Sequence, residues 1–386
     1  MNSTLNDAGE RLTEALQPAK LKSVGGGRIQ RMLITSASSV AAVAIALGIC
    51  AVILLITDKN PWEAYKKLFG AVTEKKVQQD TLNRAAPIMV SAAAVAIGFK
   101  MNLFNIGLEG QMRVALLATA VIGASVSLPA PLHVVFCLLV AMVFGAAYAG
   151  IAAYLKVKRG VNEVIATIML NYIALSLVGW AFDDFFRDES NTQGVLVKSK
   201  ELPTSAWLPR LWGSASSAFV LSVIVLFAFW VLVWKTKFGF RLRASGGNPG
   251  AARVTGVNPS RMIAISLLIS GAIAGLTGMK ALMGETPHAY QNGLGDGQGF
   301  NGISVALLGR SHPVGIFFSG LLFGFLSVAS GKLQLEDIPR EIVVIMQGII
   351  VLAVVIINGA VKRWDERRIQ RKAAAELERL EVAATA

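Results

Sequence analysis

The chain has 386 residues, of which 54% are hydrophobic and only 16% charged, with a mean hydropathy of +0.57. Soluble domains carry about 25% charged residues, so a soluble globular protein is excluded and an all-α, polytopic membrane protein is expected. The net charge of +13 comes from Lys and Arg that flank apolar runs instead of gathering into one basic domain with interleaved aromatics. This argues against a nucleic-acid partner and follows the positive-inside rule.

Residues 1–31 are polar, with a Gly25-Gly26-Gly27 break, and read as a cytoplasmic tail. So long a polar stretch before the first apolar run predicts no cleavable signal peptide. Met32 to Ile56 is longer than the roughly 20 residues that cross a bilayer and is the first predicted span. The mixed-charge loop 57–84 carries an amphipathic piece around Trp62, Tyr65 and Leu68. Ala85 to Phe99 is apolar but short, and Pro87 is expected in its first helical turn. Further spans are expected at 112–128, 133–155 and 162–182, the last followed by a polar segment reaching Trp212. Ala218 to Trp234 has Trp230 and Trp234 placed for a headgroup belt. Loop 235–261 has Lys235, Lys237, Arg241, Arg243, Arg253 and Arg261 without one acidic residue, the clearest cytoplasmic loop of the chain.

Met262 to Met283 carries Gly271, Gly275 and Gly278, spaced for close helix approach in lipid. A glycine-rich segment to Gly302 then leads into a short apolar piece, Ile303 to Leu308, and spans follow at 314–330 and 341–358. The tail from Lys362 onward is basic, with Ile369, Ala373, Leu377 and Leu380 on one side of an expected helix. Counting both short pieces gives about ten crossings, which places both termini in the cytoplasm; the slightly basic loop 57–84 dissents. The domains are then a tail (1–31), a transmembrane body (32–360) with a cytoplasmic loop at 235–261, and a C-terminal cytoplasmic segment (361–386).

Asn102 to Gln111, NLFNIGLEGQ, interrupts the apolar pattern. If helical, Asn102, Asn105 and Glu109 share one face at i, i+3 and i+7. A mid-membrane carboxylate costs on the order of 2.5–3.5 kcal/mol on insertion scales, so Glu109 either borders a transport path or pairs with Arg113 one turn on. Glu163, Thr167 and Asn171 form a second polar stripe, with Asn162 placed as helix cap, Glu163 in the first turn and Asn171 the deeper candidate for a path. Gly107-Leu108-Glu109-Gly110 is echoed by Gly299-Phe300-Asn301-Gly302. Paired interruptions in two halves point to a transporter's binding region, which makes Asn102, Asn105, Glu109, Gln111, Asn171 and Asn301 the candidates for a substrate pathway. In loop 235–261, residues 251–255 can form one or two helical turns between Pro249 and Gly256, too short to stand without a partner surface. The sequence has no GxxxxGK[ST] phosphate loop, its three histidines have no metal spacing, and no cofactor is expected.

Four strings carry a resemblance: FNIGLEGQM (104–112), VNEVIATIMLNYIA (161–174), FGFRLRASGGNPGAARVTGVN (238–258) and GFNGISVALLGR (299–310). Together they resemble permease subunits of bacterial ABC importers, in the family of branched-chain amino acid and simple sugar permeases. The NIGLEGQ form is similar to the branch that imports nucleosides with a lipoprotein of the basic membrane protein type. The resemblance implies a type II importer fold in the bacterial inner membrane. It also implies a second permease chain, commonly a different one, partner ATPase subunits and an external substrate-binding lipoprotein. In ABC permeases the ATPase grips a cytoplasmic coupling helix with the pattern EAA, three residues, Gly. Ala251, Ala252 and Gly256 match it, flanked by Asn248 and Asn258, while Gly250 stands where an acid is expected. Nucleoside, ribose-type sugar and branched-chain amino acid are the substrates expected, in that order. A stand-alone secondary transporter is the alternative of a different class, and Glu109 with Asn171 its only candidate ion site.

Overall fold

The computed structural model describes residues 44–189, 197–334 and 340–385. The tail 1–31, the first part of the predicted first span, and the side chains of Ile369, Ala373, Leu377 and Leu380 lie outside what is described. Two compact units are present: residues 52–351, and a terminal unit of which residues 44–51 and 352–385 are described. Described parts of the terminal unit are helical, belonging to α1 (Ala44–Ile56) and the long α14 (Arg340–Thr385).

The larger unit contains α2 (Pro61–Gly70), α3 (Lys75–Lys100), α4 (Leu108–Ala124), α5 (Ala130–Arg159) and α6 (Glu163–Ala181). A two-stranded antiparallel ribbon follows, β1 (Arg210–Trp212) with β2 (Ala215–Ser216), and then α7 (Ala218–Trp230), α8 (Lys237–Gly247) and α9 (Pro249–Val254). The rest are α10 (Pro259–Leu276), α11 (Met279–Gly284), α12 (Gln298–Leu308) and α13 (Pro313–Gln334). Among the described residues six helical stretches are long and apolar enough to cross a membrane: 75–100, 130–159, 163–186, 218–235, 259–284 and 313–334.

α3 is the axis of this unit. Every residue from Ala85 to Gly98 is buried, as a helix apolar on all sides must be, and α7, α10, α12 and α13 pack around it. The sequence reading of a short span beginning at Ala85 is corrected here: the helix starts at Lys75 and Pro87 lies in its interior. Three polar residues of its first turns, Gln79, Asp80 and Asn83, hold the ribbon. Asn83 Nδ2 donates to the Ser214 carbonyl (2.8 Å), Asn83 Oδ1 accepts from the Ser216 N–H (2.8 Å), and Gln79 Oε1 accepts from the Ser214 N–H (3.1 Å). A hydropathy pattern alone reads such residues as loop. Pro87 lacks the N–H that would bond the Asn83 carbonyl.

The glycines of α10 have the role their spacing predicts. A Cβ on Gly275 would lie 2.1 Å from the Ala141 carbonyl oxygen, and one on Gly271 would lie 2.5 Å from that of Gly145, so α5 and α10 approach backbone to backbone. Gly275→Leu is therefore expected to destabilise the chain by about 1–3 kcal/mol or more through overpacking. The check is the thermal midpoint in detergent; an unchanged midpoint would show that the two helices do not meet here.

Candidate functional site

α3 ends at Lys100, Asn102 takes a left-handed conformation (φ 54°), and helix resumes only at Leu108. The expected single face of Asn102, Asn105 and Glu109 is therefore not formed, because the backbone between them is unwound. Irregular backbone buried among membrane helices needs its polar groups met by protein, and the stripe on α6 meets them. Thr167 Oγ1 accepts from the Ile106 N–H (3.3 Å). Asn171 Nδ2 donates to the Ile106 carbonyl (2.9 Å), while its Oδ1 accepts from the Gly110 N–H (2.9 Å). Asn162 caps the helix as expected, accepting from the Val164 N–H at 2.9 Å.

Asn105 fills the inside of the bend. Its Oδ1 accepts from the Gly107 N–H (3.0 Å), and its Nδ2 donates to Ser270 Oγ (2.9 Å) and Gln111 Oε1 (3.2 Å). Asn105 and Gln111 are 1% and 2% exposed, so their amides are turned into the protein. Ser270, which passes the chain of bonds to the Ala94 carbonyl of α3 (2.8 Å), was missed by sequence reasoning. Its signal was an isolated hydroxyl inside an apolar helix. Ser91 of α3 gives the same signal, and its Oγ donates to the Gly299 carbonyl (2.8 Å).

The two echoing segments meet at Glu109. Its Oε1 accepts from the Gly297 N–H (2.9 Å) and its Oε2 from the Gly299 N–H (3.0 Å), while Arg113 lies 3.4 Å away and is also paired with Asp296 at 2.6 Å. Glu109 itself is in the first turn of α4. One carboxylate thus stands at the N-termini of two helices, α4 and α12, where positive dipole ends and unmet N–H groups favour an anion. The local pairing of Glu109 with Arg113 read from sequence is present, and the carboxylate also bonds backbone N–H groups across the fold. Asn171, the other member of the ion site considered for a stand-alone transporter, bonds the backbone of Ile106 and Gly110. Asn301, by contrast, is exposed, and so is Phe300 at 44%.

Loop 235–261 folds in large part as α8 and α9. Asn248 Oδ1 accepts from the Ala251 N–H (3.0 Å) to cap α9, and Asn258 Oδ1 accepts from the Arg261 N–H (3.2 Å) to cap α10. Ala252 is buried, Ala251 and Arg253 are exposed, and Val254 is 89% exposed. Gly256 closes the turn at φ +81°, a conformation that L side chains avoid. Asn102 belongs to this end of the molecule: its Nδ2 donates to the Gly246 carbonyl of α8 (2.6 Å), and a Cβ on Gly246 would lie 2.2 Å from the Lys100 carbonyl oxygen. The Lys100 ammonium also lies 5.1 Å from the ring centre of Trp234, which packs on His312. Burial and the nearby Lys100 charge hold the His312 imidazole below its ordinary pKa.

Chemically the arrangement holds an unwound backbone segment in place. Among the described residues no group of three metal-ligating side chains occurs, and Cys50 and Cys137 are buried free thiols. The chain is 33% identical to the guanosine ABC transporter permease protein NupP of Bacillus subtilis, covering 81% of this chain and 91% of that one. It is 30% identical to the nucleoside ABC transporter permease protein NupB of Lactococcus lactis, covering 79% and 86%. It is also 30% identical to the glucose ABC transporter permease protein TsgB13 of Haloferax volcanii, covering 80% and 83%. The family model described as "Branched-chain amino acid transport system / permease component" matches residues 79–355, and the chain is a member of this family of ABC transporter permeases.

Proposed function

We propose that the chain is the membrane-spanning, non-catalytic subunit of an ATP-driven importer that brings nucleosides into the cell. The geometric observation that carries the importer reading is α9, a short capped helix with Val254 exposed, joined through α8 and Asn102 to the buried axis α3. Such a segment gives a partner ATPase something to push and gives the push a route inward. Nucleoside is favoured as substrate by the names of the two relatives above; the glucose permease keeps a simple sugar as second choice.

In this reading the chain sits in the bacterial inner membrane with both termini in the cytoplasm and about ten crossings. The six long helices are joined by α1, α4, the first part of α14, and a crossing shared between the glycine-rich segment 285–297 and α12. The domains are the tail 1–31, the body 32–360 with its coupling loop at 235–261, and the segment 361–386. It works with ATPase subunits, a second and different permease chain, and an external binding lipoprotein. Asn248, Ala251, Ala252, Gly256 and Asn258 form the ATPase contact. Asn102, Asn105, Glu109, Gln111 and Asn171 frame the hinge of the path, and Asn301 faces the solute. Differential contacts in the inward and outward states supply the coupling.

Copurification and uptake test this. A phosphate-loop ATPase is expected to accompany the solubilised chain, and guanosine uptake is expected to stop on ATP depletion. Uptake that survives ATP depletion while an ion gradient is intact would overturn the reading.

A further inference from the structure

We infer that Phe300 and Asn301, on the exposed face of α12, are the specificity-determining pair, Phe300 stacking on the nucleobase and Asn301 reading its edge. This rests on the nucleoside reading above and goes beyond it by naming what recognises the solute.

The first step is depth. Gly302 presses on α3 so closely that a Cβ there would lie 2.1 Å from Ser91 Oγ. Ser91 lies inside α3, whose 26 residues span about 39 Å at 1.5 Å per residue. That puts Ser91 roughly 14 Å from the C-terminal end, within a hydrocarbon core of about 30 Å. Asn301, adjacent to Gly302, shares this depth. An exposed amide at such depth cannot face lipid without leaving its donors and acceptor unmet, so this face of α12 meets protein or a water-filled path.

The second step is chemistry. Phe300 is 44% exposed beside Asn301. An exposed aromatic ring beside an amide able to donate and accept fits a planar heterocycle with polar edges. A free sugar presents a ring of hydroxyls that calls for several acceptors, and the nearest carboxylates are engaged: Glu109 with Gly297 and Gly299, Asp296 with Arg113. The third step is rigidity. The Glu109 carboxylate and Ser91 hydroxyl fix the first turn of α12 from both sides, so Phe300 and Asn301 are presented from an anchored helix and not from a loop.

The test uses the complete transporter in proteoliposomes, with its ATPase, companion permease and external binding protein, and radiolabelled guanosine, uridine and ribose. Phe300→Ala is expected to cut guanosine and uridine uptake alike by about tenfold, since every base has a stacking face, and Phe300→Trp to retain uptake. Asn301→Asp removes the donor and is expected to shift the guanosine-to-uridine uptake ratio by about tenfold. Copurification of the companion permease is expected to be unchanged in all three. Wild-type uptake and ratio in Phe300→Ala and Asn301→Asp overturn the inference alone. Loss of the companion permease from either variant also overturns it, by making this face a subunit interface. Wild-type vesicles that take up ribose but neither nucleoside overturn both this inference and the nucleoside reading.

Discussion

Replacing Glu109 with alanine is expected to lower the thermal midpoint of the solubilised chain and to abolish uptake in the reconstituted transporter. The carboxylate is 4% exposed and accepts from the N–H groups of Gly297 and Gly299 while facing Arg113. Removing it leaves two buried donors without an acceptor and strips one of two acidic neighbours from a largely buried guanidinium. Breaking a buried charged pair on one side costs about 3–5 kcal/mol. Glu109→Gln keeps the shape and one good acceptor but places an amide NH2 against an N–H, so an intermediate loss is expected. The pair of variants separates structure from solute binding. Were Glu109 a solute-binding group with no holding role, Glu109→Gln would change uptake while the thermal midpoint stayed at the wild-type value.

This result bears on how transport interruptions can be read from sequence. The glycine-bounded strings at 107–110 and 299–302 were visible as an echo, and their pairing in space follows from elementary need: helix N-termini inside a membrane want an anion, and one glutamate is near both. The direction of each side chain was not visible. Placing Asn102, Asn105 and Glu109 on one face assumed helix, and hydropathy has no means of reporting that the α6 stripe offers just enough donors and acceptors to hold an unwound segment. The start of α3 was misjudged for a related cause. Asn83 and Gln79 look like loop residues because they are polar, yet their partners lie in a ribbon more than a hundred residues later. The cap at Asn162 was read from sequence, and Asn248 and Asn258, taken there only as flanks of the coupling segment, prove to cap α9 and α10 within a few residues of themselves. The glycine contacts of α10 were legible as a tendency to close approach, while the partner helix α5 was not.

The second large effect is expected at the coupling segment. Gly256 has φ +81° with nothing within 4 Å of the Cβ position, so a side chain there meets open space but a strained backbone, at about 1–2 kcal/mol. Gly256→Trp should therefore insert and fold, yet it would bend the end of α9 and put an indole beside the surface proposed for the ATPase. A bulky change at Ala252, which is 3% exposed, would instead lift α9 from beneath. Val254→Glu is the cleanest probe, because that side chain is 89% exposed and exposed substitutions normally move stability by less than about 0.5 kcal/mol. If α9 is what the ATPase grips, an apolar tip buried on docking is replaced by an unpaired charge, and uptake should fall by about tenfold or more at unchanged thermal midpoint. The same logic extends to Asn102→Ala, which removes the bond to Gly246 without touching the ATPase surface. There, ATP hydrolysis stimulated by the loaded binding protein should persist while uptake per ATP declines. Normal uptake in both Gly256→Trp and Val254→Glu would remove the coupling role from α9, and unaltered uptake per ATP in Asn102→Ala would remove the route through α8 to α3.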